Sequence, residues 1–315
     1  MFSRFMAGRN FGTTTATTIL GIALVVLALG VLALAQAPPS FDLLTLKLID
    51  DARARGVDAT IDQYPYTASS TSIQAALWPQ WAQEGGRDQV LARLKDPATR
   101  AKIKAESVAL IKNERGGGDP KNVVISRCEW DASLAGKHLG EVTKLRGMDV
   151  TLENAAEAVI WIVEQGGCGG IFHAIGEDDL VRILKHPATM IGSDGEVPIF
   201  GQTHPHPRSY GTFVRVLGVY VREKRALTLE EAVRKMSSAP AQRIGLGDRG
   251  VLRPGMKADI AIFDPAKVRD TATFDKPHQY AEGVSFVLVN GQVAFEGGKM
   301  TAARPGRVLY GPAKQ

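Results

Sequence analysis

The sequence predicts an α/β fold that is followed by a small and separate β-structure. Between residues 41 and 193, stretches with helical apolar spacing alternate with short apolar strands, which is typical of parallel strands flanked by helices. From Gly250 onward the apolar residues alternate instead, as they do in half-exposed strands. Hydrophobic residues form 44% and charged residues 23% of the 315 residues, which is the composition of a globular protein with a sizeable core.

The first forty residues differ in composition from the rest of the chain. Arg4 and Arg9 precede an uncharged stretch whose apolar centre covers residues 19–35, and a small-x-small pattern follows at Ala35-Gln36-Ala37. These features predict a signal peptide or a membrane anchor over residues 1–40. Because seventeen apolar residues lie at the lower edge of a bilayer span, cleavage and retention both remain open. With a genuine leader the protein is exported (periplasmic) or membrane-anchored, and without one it is cytoplasmic.

The α/β region contains a series of predicted helices and strands. In chain order, the spacing predicts a helix that ends at Gly56, a strand over residues 57–61, a helical region over residues 88–106, a strand over residues 122–126, a helix from its cap Thr151 to about residue 164, a strand at "GGIFHA", a helix over residues 177–186 and a strand at "TMIGS". Helices and strands that alternate in this way predict parallel pairing.

The pattern changes after residue 193. The segment Thr228-Leu-Glu-Glu231 is a capping box that opens a helix through Met236, and "SSAPAQRIGL" predicts a short helix broken at Gly245. The segments "GVLRPGMKADIAIFD" and "VSFVLVNGQVAFEGGKM" predict strands, with Asn290-Gly291 as a hairpin turn.

The cysteines and the net charge exclude some classes of function. Cys128 and Cys168 are forty residues apart and neither belongs to a C-x-x-C motif, so the spacing supports neither a disulfide framework nor a cysteine zinc site. We expect two small buried thiols. The formal charge is +5, but basic and acidic residues are mixed along the chain. A nucleic-acid partner is therefore not expected.

Two charged residues are candidates for the chemistry. Asp194 follows the apolar "TMIGS" strand, and the carboxyl ends of strands are where α/β barrels keep catalytic groups. A cap of the following turn is the alternative role. Arg208 is expected on the following loop, where its guanidinium could hold a substrate carboxylate through two parallel hydrogen bonds. A surface salt bridge is the alternative for Arg208.

The histidines and one tyrosine-rich segment are further candidates. His204 and His206 form an H-x-H motif, but alternate residues of an extended loop point in different directions, so we do not expect them to bind a metal. His173 closes the "GIFHA" strand at its carboxyl end and is a candidate substrate-binding residue, with a core histidine bonded to the backbone as the alternative. The segment "DQYPYTASST" over residues 62–71 suits the lining of a pocket, although it also reads as a plain turn.

Several segments together resemble one family. The segments are "DQYPYTASST", "MIGSDG", "HPRSYGTFVRVLGVYVRE", "LTLEEAVRKMSSAPAQRIGLGDRGVLRPGMKADIAIFDP" and "VLVNGQVAFEGG". In this order they resemble the D-aminoacylase (N-acyl-D-amino-acid deacylase) family of the amidohydrolase superfamily, from about Leu44 to the C-terminus and as the C-terminal part only. The resemblance implies a partial zinc-dependent (β/α)8 TIM-type barrel over residues 41–245, with an inserted lid region at about residues 67–170. It also implies a small β-sandwich segment over residues 246–315.

The resemblance also implies roles for individual residues. Such enzymes hydrolyse the amide of an N-acyl-D-amino acid. The aspartate of "GSDG", here Asp194, is their general acid and base. The arginine of "HPR", here Arg208, holds the α-carboxylate of the substrate, and Tyr64 and Ser70 face the substrate, with Ser69 as the alternative to Ser70.

The chain departs from this family at the metal ligands. The family carries an early H-x-H, a metal-binding cysteine and two further histidines, whereas this chain has no histidine before His138 and no cysteine before Cys128. We therefore expect zinc ligands to be missing from this chain.

Three hypotheses remain open from this departure. The chain is the C-terminal half of a deacylase joined to an export signal, or a separate polypeptide supplies the missing N-terminal barrel half. Alternatively, it is a non-catalytic exported binding protein or an inactive remnant. Hydrolysis of a cyclic ureide is a weaker rival, because the arginine of "HPR" suits an open carboxylate. A membrane is expected only at the N-terminal apolar segment.

Overall fold

The computed structural model describes residues 41–310, so the predicted leader lies outside the described residues. The chain divides into two compact units, Met1–Val57 and Asp58–Gln315. The described part of the first unit is helix α1 (Phe41–Ala54), which an ion pair between Lys47 and Asp51 supports at 2.6 Å. Gly56 follows with a φ of +84°, as its predicted role at the helix end requires. Within residues 41–310 no helix has the length and apolar character needed to cross a membrane.

The larger unit alternates helices with short strands over its first two thirds. The helices are α2 (Ile73–Leu77), α3 (Gly86–Lys95), α4 (Pro97–Leu110), α5 (Leu139–Leu145), α6 (Leu152–Gln165), α7 (Glu177–Lys185), α8 (Arg208–Arg215), α9 (Leu229–Met236) and α10 (Ser238–Arg243). Single 3₁₀ turns lie at Gln80–Ala82, Pro120–Asn122 and Ala132–Leu134, and π-helical stretches extend α4 over Ile111–Arg115 and α8 over Val216–Glu223.

The strands of this unit form three sheets. They are β1 (Ile61–Gln63), β2 (Ser69–Ser72), β3 (Val123–Arg127), β4 (Gly169–Phe172), β5 (Thr189–Ile191), β6 (Ile260–Phe263), β7 (Val284–Val289), β8 (Gln292–Glu296) and β9 (Lys299–Met300). β1 and β5 form a parallel pair with Ile61 opposite Thr189. The other two sheets are antiparallel, with strand orders β2-β4-β3 and β6-β7-β8-β9.

Residues 69–172, here called the insert, enclose a hydrophobic core of their own. Buried side chains of helices α2 to α6 and of the sheet form one cluster, which includes Leu77, Val159 and Phe172. Cys128, just after β3, is joined by a disulfide bond to Cys168, just before β4, with their Cα atoms 4.5 Å apart. The expectation of two free thiols was therefore wrong. Strand pairing across the sheet brings together two residues that sequence spacing alone leaves unrelated.

The expectation of parallel pairing holds for only part of the α/β region. The "NVVIS" and "GGIFHA" strands are β3 and β4, and β4 pairs antiparallel with both β2 and β3. The prediction of parallel strands was wrong here, because short apolar runs do not encode the direction of their partners. Among the described residues, β1 and β5 are the strands that pair in parallel.

A second core surrounds β5 and orients the chain that leaves it. Ile191 of β5 packs with Leu180 and Leu184 of α7 and with Val216 and Tyr220 of the π-helical stretch. Lys235 of α9 donates hydrogen bonds from its buried Nζ to the carbonyl oxygens of His186 and Thr189, at 2.6 and 2.9 Å. These contacts hold β5 in place and thereby position residues 192–195, which follow it.

Elements with a strong local signal lie where the sequence predicts them. Thr151 and Thr228 accept hydrogen bonds from the N–H groups of Asn154 and Glu231 at the starts of α6 and α9. The predicted helical region over residues 88–106 is instead two helices, because Pro97 starts α4. In the C-terminal sheet, the hairpin between β7 and β8 turns at residues 290–291 with φ values of +50° and +79°.

Candidate functional site

Asp194 lies at the carboxyl end of the parallel strand β5, three residues after Ile191. Its φ of +48° is in the left-handed region, where an aspartate is tolerated better than most residues. The next residue, Gly195, lies so close to α8 that a Cβ atom there would be 3.0 Å from Cα of Ser209. The backbone at Asp194 is thus held in place, while its side chain is 69% exposed.

Arg208 is the first residue of α8 and not a loop residue, so the expected loop position was wrong. Pro207, with its fixed φ, precedes the helix and starts it. The Arg208 side chain is only 9% exposed, and its Nη2 is 2.9 Å from Oδ2 of Asp194. Nη2 also donates to the carbonyl oxygen of Ser70 at 3.3 Å. The two charged candidates of the sequence therefore meet.

Tyr64 and Ser70 border the same guanidinium. The Arg208 guanidinium lies 4.9 Å from the centre of the Tyr64 ring, a cation–π contact. Burial raises the pKa of the Tyr64 hydroxyl, and positive charge from Arg208 and Arg115 opposes that rise. Ser70, in the edge strand β2, contacts Arg208 through its backbone carbonyl. The tyrosine hydroxyl is therefore protonated at neutral pH and can donate a hydrogen bond.

His206 is buried and both of its ring nitrogens are engaged. Nδ1 accepts a hydrogen bond from the backbone N–H of Arg208 at 3.0 Å, and Nε2 lies 3.0 Å from the carbonyl oxygen of Ala68, to which it donates. Burial, followed by the charge of Arg208, lowers the pKa of His206 to about 3. Neutral His206 thus links the backbone N–H at the start of α8 to the carbonyl oxygen of Ala68, just before the insert.

His204 is also bonded to the backbone. Its Nε2 lies 2.6 Å from the carbonyl oxygen of Phe274, and its Nδ1 faces Gly136. With the nitrogens of His206 engaged as well, the H-x-H motif does not present a pair of free ligands. In the part of the chain that the structure describes, no group of three or more His, Cys, Asp or Glu side chains could hold a metal ion.

His173 directly follows β4, so it lies at the carboxyl end of that strand as predicted, although β4 pairs antiparallel and not parallel with its neighbours. Its backbone N–H donates to the carbonyl oxygen of Asn122 at 2.8 Å, and its half-buried ring lies 4.6 Å from the ring of Phe274. Burial lowers the pKa of His173. Among the described residues, His173 contacts Asn122 and Phe274 and not the pair formed by Asp194 and Arg208.

Three residues that the sequence reasoning missed hold the tyrosine-rich segment in place. Arg215 donates from Nε to the carbonyl oxygen of Pro65 at 2.8 Å, and its Nη1 pairs with the buried Asp270 at 3.1 Å. The ring of Phe274 packs edge-to-face against Tyr66 and His206. One signal was available: Arg215 follows Arg208 by seven residues and therefore lies on the same helix face. No local pattern marks residues 270 and 274.

The arrangement combines an exposed carboxylate, a buried guanidinium and an aromatic hydroxyl. A guanidinium of this kind binds a carboxylate of a small molecule, and the adjacent Asp194 can accept or deliver a proton.

Comparisons with known proteins give one consistent result. A family model described as the amidohydrolase family matches residues 38–295. An N-acyl-D-aspartate deacylase of Alcaligenes xylosoxydans xylosoxydans is 43% identical over 174 residues, which are 55% of this chain and 33% of the relative. An N-acyl-D-glutamate deacylase of the same organism is 36% identical over 265 residues, which are 84% of this chain and 44% of the relative.

A solved structure extends this similarity to the fold. The crystal structure of N-acyl-D-glutamate deacylase from Bordetella bronchiseptica, with zinc and a phosphonate inhibitor that mimics the tetrahedral intermediate, matches with a TM-score of 0.64 and 34% identity. The match covers 86% of this chain and 46% of that one. It confirms the predicted fold class, a partial amidohydrolase barrel. The chain spans less than half the length of these relatives.

Proposed function

The chain belongs to the amidohydrolase family, with D-aminoacylases and N-acyl-D-amino-acid deacylases as its relatives, and from this membership we propose that it acts on N-acyl-D-amino acids. In this proposal the described residues contribute two parts of a deacylase site, namely the recognition of the substrate carboxylate and a proton-transfer group. The contact between the buried guanidinium of Arg208 and the exposed carboxylate of Asp194 carries the proposal.

Arg208 recognises the α-carboxylate in this proposal. Its Nη1 is buried and has no hydrogen-bond partner within the described residues, so a donor is available for a ligand. The Tyr64 hydroxyl, protonated because burial raises its pKa, supplies a neutral donor beside it. An open carboxylate fits this pair of donors better than a cyclic ureide, which lacks the negative charge.

Asp194 moves the proton in this proposal. Hydrolysis of an amide requires a proton for the leaving nitrogen, and a carboxylate at a strand end next to the bound substrate can deliver it. Ser70 takes part through its carbonyl oxygen, which orients Arg208. We assign His173 to the outer wall of the site, because it contacts Phe274, which in turn packs on His206.

The zinc implied by the relatives does not fit the described residues. Both nitrogens of His206 and Nε2 of His204 are bonded to the backbone, and Asp194 is paired with Arg208. A catalytic zinc ion needs three or more converging ligands. We therefore propose that hydrolysis requires metal ligands from outside residues 41–310, whether in the same polypeptide or in another that supplies a barrel half. A binding protein without catalysis is the second candidate, and the engaged histidines favour it.

We also propose export. The predicted leader at residues 1–40 supports it, and so does the disulfide bond between Cys128 and Cys168, because disulfides form and persist in oxidising compartments. We further propose that the leader ends at residue 40 and that the partial barrel ends at residue 245.

Isothermal titration of the full chain with N-acetyl-D-methionine and its L-enantiomer tests the proposed substrate class. We expect the D-enantiomer to bind at least tenfold more tightly, and the Arg208→Met variant to lose this binding. Equal affinity for the two enantiomers would rule out the proposed substrate class. Zinc analysis and an amide hydrolysis assay then separate the candidates: binding without stoichiometric zinc or turnover identifies the binding protein, and stoichiometric zinc with turnover identifies a complete enzyme.

A further inference from the structure

The ion pair between Asp194 and Arg208 joins two side chains in very different surroundings. Arg208 is 9% exposed and Asp194 is 69% exposed. The guanidinium is fixed by Ser70 on one side and by the Tyr64 ring on another, whereas the Asp194 carboxylate faces water. A buried cation needs a counter-ion, and an exposed carboxylate loses little when it leaves. Asp194 is therefore the partner that can be exchanged.

The two terminal nitrogens of the Arg208 guanidinium differ in their hydrogen bonds. Nη2 bonds to Asp194 and Ser70, while Nη1 is buried without a hydrogen-bond partner in the described chain. A carboxylate binds a guanidinium most favourably through two parallel hydrogen bonds. The contact with Asp194 leaves one of these donors open, so an incoming carboxylate that takes both has an advantage over it.

The backbone allows the exchange without a larger movement. Asp194 has a left-handed φ, and Gly195 is packed against the start of α8. The main chain next to Asp194 is therefore packed against the start of the helix that carries Arg208. Rotation about the side-chain bonds of Asp194 is sufficient to release Arg208.

We propose that Asp194 is an internal counter-ion that occupies the anion site of Arg208 until the carboxylate of a ligand displaces it. Ligand binding and the release of Asp194 toward the reacting bond are then one coupled event. Asp194 competes with the ligand for Arg208. The apparent affinity for any carboxylate is therefore the intrinsic affinity multiplied by the fraction of molecules in which Arg208 is not paired with Asp194. This inference rests on the proposed function for the identity of the ligand, but not for the competition itself.

The Asp194→Asn variant tests the competition, since asparagine keeps the shape, tolerates the left-handed backbone and removes the charge. We expect this variant of the full chain to bind N-acetyl-D-methionine about tenfold more tightly than the wild type in isothermal titration. The matched control is Glu196→Gln, which removes an exposed carboxylate two residues away and whose affinity should stay within twofold of the wild type. Unchanged or weaker binding by Asp194→Asn would overturn the proposal.

Acetate separates this inference from the proposed function. If Asp194→Asn binds acetate more tightly than the wild type but neither protein prefers the D-enantiomer, the counter-ion role stands and the substrate class falls. If the wild type prefers the D-enantiomer and Asp194→Asn gains no affinity for either ligand, the counter-ion role falls and the substrate class stands. A ¹⁵N spectrum of the arginine side chains checks that Arg208 remains buried in the variant.

Discussion

The insert and the parallel strand pair differ in how much supporting structure each contains among the described residues. The insert has a three-stranded sheet, a hydrophobic core and a disulfide bond within residues 69–172. The parallel pair, β1 and β5, consists of two strands of three residues, and in the part of the chain that is described neither strand pairs with any further strand. Unpaired strand edges are open to association with other strands.

The candidate site lies where these two regions meet. Arg208 and Asp194 come from the side of β5, but the carbonyl groups that hold Arg208 and His206 belong to Ser70 in the insert and to Ala68 just before it. The insert, which has its own core, thus supplies a backbone carbonyl group to the site, whereas the two charged side chains come from the region of the parallel pair. We expect the insert to outlast the site when the protein is destabilised.

Truncation in the two cores gives the largest expected effect. Phe172 in the insert and Leu184 beside β5 are both fully buried. We expect Phe172→Ala to cost about 3–5 kcal/mol and Leu184→Ala about 2–5 kcal/mol of unfolding free energy. All four tryptophans lie in the insert, so tryptophan fluorescence during urea unfolding reports on the insert alone. The fluorescence transition should move in Phe172→Ala and stay in Leu184→Ala. A single transition that moves equally in both variants would mean that the two regions unfold as one.

Removal of the disulfide bond should weaken the insert specifically. Cys128 and Cys168 are 40 residues apart, and a crosslink of this span typically contributes about 2–4 kcal/mol. We expect the double variant Cys128→Ala/Cys168→Ala to lower the midpoint of the fluorescence transition while the circular dichroism of the remaining structure keeps its midpoint. Reduction of the wild type should reproduce the shift. No shift on reduction would contradict the disulfide bond itself.

Acid should open the junction between the two regions before it affects the insert. The pKa of His206 is about 3 in the folded protein and near 6.5 when unfolded, so the unfolded chain takes up the proton first. The stability contributed by neutral His206 is complete above pH 6.5 and is lost as the pH falls toward 3. Between pH 6.5 and 5 we expect the wild type to lose about 2 kcal/mol more than the His206→Gln variant. Equal losses in pH-dependent urea unfolding would contradict this assignment.

The ion pair behind the tyrosine-rich segment should give the smallest effect. The Asp270 side chain is 6% exposed and its partner Arg215 is 28% exposed. We expect Asp270→Asn to cost about 1–2 kcal/mol, because partial exposure of Arg215 limits the penalty for the unpaired charge. The matched control is Glu282→Gln, in a pair with Arg269 whose side chains are 56% and 60% exposed, and it should cost less than about 0.5 kcal/mol. Thermal unfolding of both variants measures the difference, and equal costs would show that burial does not strengthen the first pair.

The sequence predicted those features whose cause is local. The caps Thr151 and Thr228 and the turn at Asn290 need only their immediate neighbours, and the structure confirms them. The direction of β4 depends on β2, about 100 residues earlier, and on β3, about 45 residues earlier, and the disulfide bond spans 40 residues. No periodic pattern encodes these distant partners.

The site was predictable in its charged groups and not in their supports. Asp194 and Arg208 stand out by residue type and position, and the structure places them in contact. The helical position of Arg208 was missed because Pro207 reads as a loop residue, although proline also starts helices. The ring of Phe274 and the carbonyl of Ala68 become visible only when segments distant in the chain come together.

The hydrogen-bonding of His206 provides a spectroscopic reporter. The proton on Nε2 points at the carbonyl of Ala68 inside the protein, away from bulk water. A proton in this position exchanges slowly with solvent and gives a separate low-field resonance in a proton NMR spectrum. The broadening and loss of this resonance on warming would report the temperature at which the hydrogen bond between His206 and Ala68 breaks.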